Sequence, residues 1–307
     1  MKMHRKKIQI LTTTLLFVFL FVFSNTLYAQ QDSTTHKDTL NKKRLFWVVG
    51  TSTVLYSGTL VGLNELWYKN SPRTSFHFFN DNAQWRQIDK IGHAYSAYHV
   101  SRLSTELFRW SGLKPKNAVL WGAITSQLMM TPIEIFDGFS AEYGASWGDV
   151  VANFSGGLLW WGQHQIWNEP HIHFKYSFQQ SPYAQFRPNV LGKNLREQLL
   201  KDYNGQTYWL SVDLHHFLRK EKFPRWLNLA VGTGANRMVF AREPENNLNG
   251  YSSYRQYYLS FDIHLPNIRT RSKFLKKVFW TLGTIRLPAP ALEFNKIDKV
   301  KWHWLYF

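Results

Sequence analysis

Two hydrophobic patterns divide the chain. The first half carries long uncharged runs, and the last hundred residues alternate apolar and polar positions with period two. Leu45 to Leu63 is a run of 19 residues without charge, closed by Asn64 and Glu65. That length reaches the threshold for a membrane-crossing helix, and Gly58 and Gly62 form a G-x-x-x-G pair that permits close helix approach. Thr51, Ser52, Thr53, Ser57 and Thr59 within the run suit a buried bundle helix equally. Trp67 and Tyr68 then act as interfacial anchors or as ordinary packing.

After an aromatic loop over Ser71–Ala83, apolar positions at helical spacing predict a second helix from Trp85 to Trp110, stopped by Gly112 and Pro115. A third helix is expected over Lys116–Ile133 and a fourth over Val150–Trp167. Between them lies P-I-E-I-F-D-G-F-S-A-E-Y-G-A-S-W-G-D-V-V-A-N-F-S-G-G, Pro132 to Gly157, read as a glycine-rich hinge. Residues 168–205 show no clear period. From Thr207 strands are expected at Trp209–His215, Trp226–Phe240, Tyr258–His264, Ile285–Phe294 and Val300–Phe307. The predicted architecture is α+β: an N-terminal four-helix membrane-associated bundle, residues 45–167, followed by a C-terminal antiparallel β-sheet or partial barrel within residues 168–307. Five or six strands fall short of the eight of a closed membrane barrel, although the aromatic terminal strand ending in Phe307 suggests an outer-membrane connection.

The first 29 residues read as a secretory signal, with Arg5, Lys6 and Lys7 before the apolar Ile8–Phe23 and small residues leading to Ala29. Residues 30–44 read as a polar linker ending in Lys42, Lys43 and Arg44. The sequence has no cysteine, so a lipobox, disulfides and thiolate chemistry are excluded within it. A hydrophobic fraction of 44% with 14 Trp excludes disorder. The net charge of +17 is uneven: residues 168–307 carry 21 basic and 10 acidic side chains. For an exported chain the partners this charge implies are a membrane or anionic envelope lipids, not nucleic acid. The expected location is the cell envelope, on the periplasmic side and associated with the outer membrane.

Acids cluster where the surroundings are otherwise apolar, and such placement is costly unless they are paired. Glu134 and Asp137 are three residues apart, and Asp149 and Asn153 are four apart, so each pair shares a helix face. With Asp89, Lys90, His93 and Ser146 they can build a hard-metal or acid/base site between helices, or an ion-pair network neutralised by Lys90 or Arg102 that fixes helix register. A second candidate, Asp213, His215, Asp262 and His264, requires the two echoed strands to be neighbours.

D-K-I-G-H (Asp89–His93), P-I-E-I-F-D-G-F-S (Pro132–Ser140) and S-W-G-D-V-V-A-N-F-S-G (Ser146–Gly156) resemble the YfiM-like family of uncharacterised, predicted periplasmic lipoproteins. More distantly the layout is similar to VanZ-like membrane proteins. The resemblance covers about residues 45–167 and marks Asp89, Lys90, His93, Glu134, Asp137, Gly138, Ser146, Asp149 and Asn153. It implies an envelope protein and brings no substrate or cofactor. The chain departs from it in lacking a lipobox cysteine and in its long basic C-terminal half. In a catalytic reading, Glu134 or Asp149 serves as acid/base, His93 as proton shuttle or ligand, and Asp137 orients. Asp89, Lys90, Ser146 and Asn153 then bind.

Overall fold

A computed structural model describes residues 39–68, 71–218 and 223–307, apart from the side chains of Leu66 and Trp67. The expected signal and most of the expected linker lie outside the described residues, as does the side chain of Trp67. Helices precede a C-terminal six-stranded antiparallel sheet, so the class is α+β. Among the described residues the four long helices are α1, Lys42–Leu63; α2, Ile88–Trp110; α3, Pro115–Gly138; and α4, Trp147–Trp167. The chain separates into two compact units, Met1–Phe79 with Val100–Ser146 and Asn80–His99 with Trp147–Phe307.

In the first unit, Asn41 caps α1 by accepting from Arg44 N at 3.0 Å, so the basic triplet expected at the end of the linker forms the first helical turn. Asn41 N also donates to Ser111 O at 2.9 Å, and the Arg44 guanidinium lies over Trp110. Helix α1 and helix α3 are long and apolar enough to cross a membrane. Of their most apolar windows, 6% and 28% of residues respectively are buried within the structure. Helix α3 does not stop at Ile133. It continues through Pro132 to Gly138, which moves Glu134 and Asp137 out of the expected hinge and onto the last helical turns. A proline in a helix removes one backbone bond and its ring crowds the carbonyl one turn back, which favours a kink, yet the chain stays helical to Gly138.

In the second unit the strands are β1, Ile172–Phe178; β2, Gln206–Asp213; β3, Leu227–Asn236; β4, Tyr254–Ile263; β5, Ala289–Asn295; and β6, Lys299–Tyr306. They form an open meander in sequence order. The echoed segments fall on β2 and β4, which β3 separates, and His215 leaves the sheet on the short helix Leu214–Leu218. The second candidate set therefore does not form as a neighbouring pair of strands. Helix α5, Lys273–Leu282, joins β4 to β5 and is absent from the sequence reading. Its ten residues are too few to announce a helix by period alone, though Ser272 caps it by accepting from Leu275 N at 3.3 Å.

The sheet curls strongly. Lys175 on β1 and Asp262 on β4 are three strands apart, about 14 Å in a flat sheet, yet Lys175 Nζ lies 2.5 Å from Asp262 Oδ2. The hydroxyls of Thr207 on β2 and Tyr306 on β6 meet at 2.9 Å. Thr284–Arg286 runs beside β1, where Arg286 N donates to Tyr176 O at 2.9 Å, and Arg286 Nη1 reaches Tyr306 O on β6 at 2.7 Å. Inside this curl Trp209, Tyr258 and Tyr306 pack together, with Arg286 over the Trp209 ring. The first half of α2 covers β1: Tyr98 donates to Ile172 O at 3.2 Å, and His99 Nε2 is 2.8 Å from Phe174 O. Gly156 on α4 is required there, because a Cβ would come within 2.8 Å of the Ala94 carbonyl carbon.

Lys175 and Asp262 are both fully buried, so removing one charge strands the other in the interior. We expect Lys175→Met to cost about 3–5 kcal/mol in chemical denaturation. The double variant Lys175→Met with Asp262→Leu should recover most of that loss. A single variant as stable as wild type would show that the pair does not hold the curl.

Candidate functional site

Five of the sequence-derived residues converge in the second unit, on α2 and α4. Asp149 lies in the first turn of α4 and is buried, with Asn153 one turn later and also buried. Facing them, Asp89, Lys90 and His93 occupy the first turns of α2. Lys90 is the centre. Its Nζ stands 2.8 Å from Asp149 Oδ1, 2.8 Å from Asp81 Oδ1 and 3.4 Å from Asp89 Oδ2. Asp89 Oδ1 in turn accepts from the Tyr203 hydroxyl at 3.1 Å. His93 Nδ1 is 3.2 Å from Asn153 Oδ1, and its Nε2 is 3.9 Å from Asp149 Oδ1. With Asn153 as acceptor, the proton sits on Nδ1, which leaves Nε2 turned to the carboxylate. At 3.9 Å that second approach is electrostatic and too long for a hydrogen bond.

The backbone before the site is unusual. Trp85, Arg86 and Gln87 have φ of 45°, 51° and 57°, so the expected start of α2 is a left-handed turn and the α-helix begins three residues later, at Ile88. Each such residue costs roughly 1–2 kcal/mol. Fastening offsets that cost: Trp85 N donates to Ala241 O at 2.8 Å, Gln87 Nε2 to Asn82 O at 2.7 Å and Arg86 Nε to Ser253 Oγ at 2.8 Å. Arg86 also pairs with Glu243 at 2.9 Å, and Arg255 donates to Arg86 O. The turn leaves Asp81 and Asp89 on either side of Lys90. Gly148 makes room for the lysine stem, since a Cβ at that position would come within 2.7 Å of Lys90 Cε.

These surroundings set the charges. Burial pushes the Asp149 carboxyl up to about 6, Asp89 adds to the rise, and His93 and Lys90 pull against it. For Lys90, burial opposes the ammonium, but Asp89, Asp149 and Asp81 outweigh it and hold its pKa above the ordinary lysine value. Burial and the neighbouring Asp89 hold the Tyr203 phenol well above its usual range. The cluster therefore contains a lysine fixed as a cation and a carboxyl that titrates near neutrality. Asp81, Asp89 and Asp149 each offer an oxygen within 4.8 Å of the others, a donor set of the kind a hard cation accepts.

Glu134, Asp137 and Ser146 belong to the first unit. Glu134 is buried and Asp137 lies one turn further along α3. Tyr68 donates to Asp137 Oδ1 at 2.7 Å, and its ring meets Phe136 and Tyr143 edge-on. Burial, with Asp137 beside it, holds the Tyr68 phenol above its ordinary value. Ser146 is buried at the end of the segment whose neighbour, Ala145, pairs with His77 and Phe79. Glu142, an acid of the same stretch, is exposed.

Two members of the Lys90 cluster escape sequence reasoning. Asp81 sits in a loop between two asparagines, and nothing in its spacing ties it to a helix face. Tyr203 comes from the segment without a period, 114 positions after Asp89.

Residues 77–159 match a sequence family described as "Predicted periplasmic lipoprotein (DUF2279)". The matched segment is under a third of the chain and spans every residue of the Lys90 cluster except Tyr203. It supports an uncharacterised family of the periplasmic side of the cell envelope. These 307 residues contain no cysteine, so the acylation for which that family is described has no acceptor within them. No curated protein and no solved structure matches the chain.

The raised Asp149 value fixes a pH prediction. Its carboxyl holds a proton more tightly folded than unfolded. The associated stability is present below about pH 4 and is lost as pH rises through about 6. In thermal denaturation the wild type should lose up to about 3 kcal/mol relative to Asp149→Asn across that window. Parallel pH profiles for the two proteins would sink the assignment.

Proposed function

We propose that this is a cell-envelope protein of the periplasmic side that contacts the outer membrane or anionic envelope lipids through its basic C-terminal half. Its N-terminal helices form a membrane-associated bundle, and the Lys90 cluster fixes the pairing of α2 with α4. One observation carries the contact. Helix α5 has no buried residue, and Lys273, Lys276 and Lys277 share it with Phe274, Phe279 and Trp280. Arg269 and Arg271 precede it, and no acid occurs between Asp262 and Glu293. A short helix of that kind lies on an anionic surface with its rings at the acyl boundary. The match to a family of predicted periplasmic lipoproteins supports the compartment. The sequence offers no cysteine to acylate, so in this reading the contact is made by the helices and the basic surface themselves. The likeness to VanZ-like proteins rests on Asp89, Lys90 and His93, Glu134, and Asp149, Asn153 and Gly156 at their spacing.

A second reading is favoured by the Asp149 carboxyl near pH 6 beside His93, since a buried carboxyl tuned towards neutrality is how acid/base groups are made. In that reading the protein is an envelope enzyme acting on a lipid-linked or peptidoglycan-type substrate. Asp149 or Glu134 is the acid/base, His93 the proton shuttle and Asp137 the orienting carboxylate, while Asp89, Lys90, Ser146 and Asn153 bind.

Sedimentation with phosphatidylglycerol vesicles tests the first reading. Replacing Lys273, Lys276 and Lys277 by Gln should weaken binding roughly a hundredfold at low salt, at about 1 kcal/mol per charge, and leave phosphatidylcholine vesicles unaffected. Unchanged binding would remove the reading. Glu134→Gln and Asp149→Asn separate the second from the first. An enzyme loses its cellular phenotype in both variants while neither loses folded protein. A phenotype kept in Asp149→Asn, or folded protein lost in Glu134→Gln, removes the enzyme reading.

A further inference from the structure

A half-buried antiparallel sheet normally turns its apolar side chains to the core and its polar ones to water. The sheet here is inverted. By register, Lys175, Trp209, Tyr258 and Glu293 form one row of the inner face, and Asp213, Asn228 and Asp262 form another, all of them buried. The intervening rows face outward. One runs Phe174, Leu210, Val231, Leu259, Leu292, Trp302, and the next Tyr176, Tyr208, Thr233, Tyr257, Phe294, Val300. The first half of α2 covers this face at β1 and β2, where Phe174 and Tyr208 are buried against Tyr95. That cover ends before β3. Val231 is 47% exposed, Tyr257 55%, Trp302 48% and Trp304 80%.

Polar within and apolar without is the pattern of sheets that meet lipid. We infer that the outer face of β3–β6 lies flat on an anionic bilayer, strands along its plane, with these side chains dipping into the acyl chains of one leaflet. The dimensions exclude a span. The apolar band runs from Tyr257 to Phe261 on β4 and from Val300 to Trp304 on β6, five residues or about 16 Å, against a hydrocarbon core of about 30 Å. Cations bound the band at both ends: Lys296 and Lys299 at the β5–β6 turn, and Arg269, Arg271 and Lys273 where the chain leaves β4. A strand standing upright would bury one set of them at mid-bilayer, whereas a strand lying flat leaves both among headgroup phosphates. The same cations oppose a second copy as the occupant, since two such faces in register set like charge against like in either orientation.

The inference rests on the envelope-lipid reading and adds an apolar, salt-resistant contact to it. The absence of cysteine makes the test direct. Nitroxide labels on Val231→Cys and Trp302→Cys, in the otherwise unchanged chain on vesicles of phosphatidylglycerol and phosphatidylcholine, should collide more with oxygen than with a water-soluble nickel chelate. A label on Lys296→Cys should show the opposite, and high salt should not restore chelate access at Val231 or Trp302. The readout is specific to position and insensitive to any insertion of α1 or α3. A parallel measurement needs no label: acyl-brominated lipid should quench wild-type tryptophan fluorescence more than that of Trp302→Phe. Chelate access at Val231 and Trp302 equal to that at Lys296 overturns the inference, as does label–label broadening without vesicles, which assigns the face to a second copy. If either occurs while the α5 lysines still govern anionic binding, the electrostatic contact stands and the apolar one falls.

Discussion

An ammonium sealed from water governs the sheet. Lys175 has no route to solvent, and a lone cation in that position would cost several kcal/mol, so its carboxylate must come to it across three strands. Asp262 does so at 2.5 Å, accepting in addition from Ser211 Oγ at 2.6 Å, and Lys175 Nζ also donates to Ile263 O at 3.1 Å. Meeting these demands curls the sheet until β2 and β6 touch through Thr207 and Tyr306. The curl puts the polar rows inside, and with the polar rows inside the apolar rows have to face out. One pairing requirement thus accounts for both the polar interior and the bare aromatic exterior.

The Lys90 cluster repeats the same chemistry with a different balance. Three carboxylates surround one ammonium, and a histidine on the next turn stands 3.9 Å from Asp149. Burial, with Asp89 adding to it, is what lifts Asp149 towards neutrality. The left-handed turn at Trp85–Gln87 is the structural counterpart, a strained segment fastened by Arg86, Ser253 and Glu243 so that Asp81 can reach Lys90 from one side while Asp89 holds it from the other. The electrostatics of the cluster follow from this packing.

Much of the fold was legible. The long uncharged runs mark α1, α3 and α4, and period two locates five of the six strands, because burial imposes those periods directly on side-chain chemistry. The misses have physical causes. Strand β1 alternates His173, Lys175 and Ser177 with apolar residues, but its seven residues stand in front of a long segment without a period and were read with it. The end of α3 was misplaced because the uncharged run stops at Ile133, whereas the helix carries Glu134, buried, and Asp137, bonded to Tyr68, on its last turns. Asp89, Lys90, His93, Asp149 and Asn153 were identifiable from their spacing on two helix faces. Asp81 and Tyr203 were not, since a loop residue and a residue 114 positions away carry no periodic signal.

By itself the sequence determined which elements form, where acid is concentrated, and that positive charge collects after residue 168. It did not determine which face of the sheet meets water. Strict alternation separates side chains into two sets but is symmetric between inside and outside, so the pattern fits either orientation. Tertiary structure breaks that symmetry through Lys175, which pairs with Asp262 across the curl, on β4. It likewise decided that Lys90 would collect three acids rather than one, because convergence depends on how a loop and two helices approach in space. No local period records that approach.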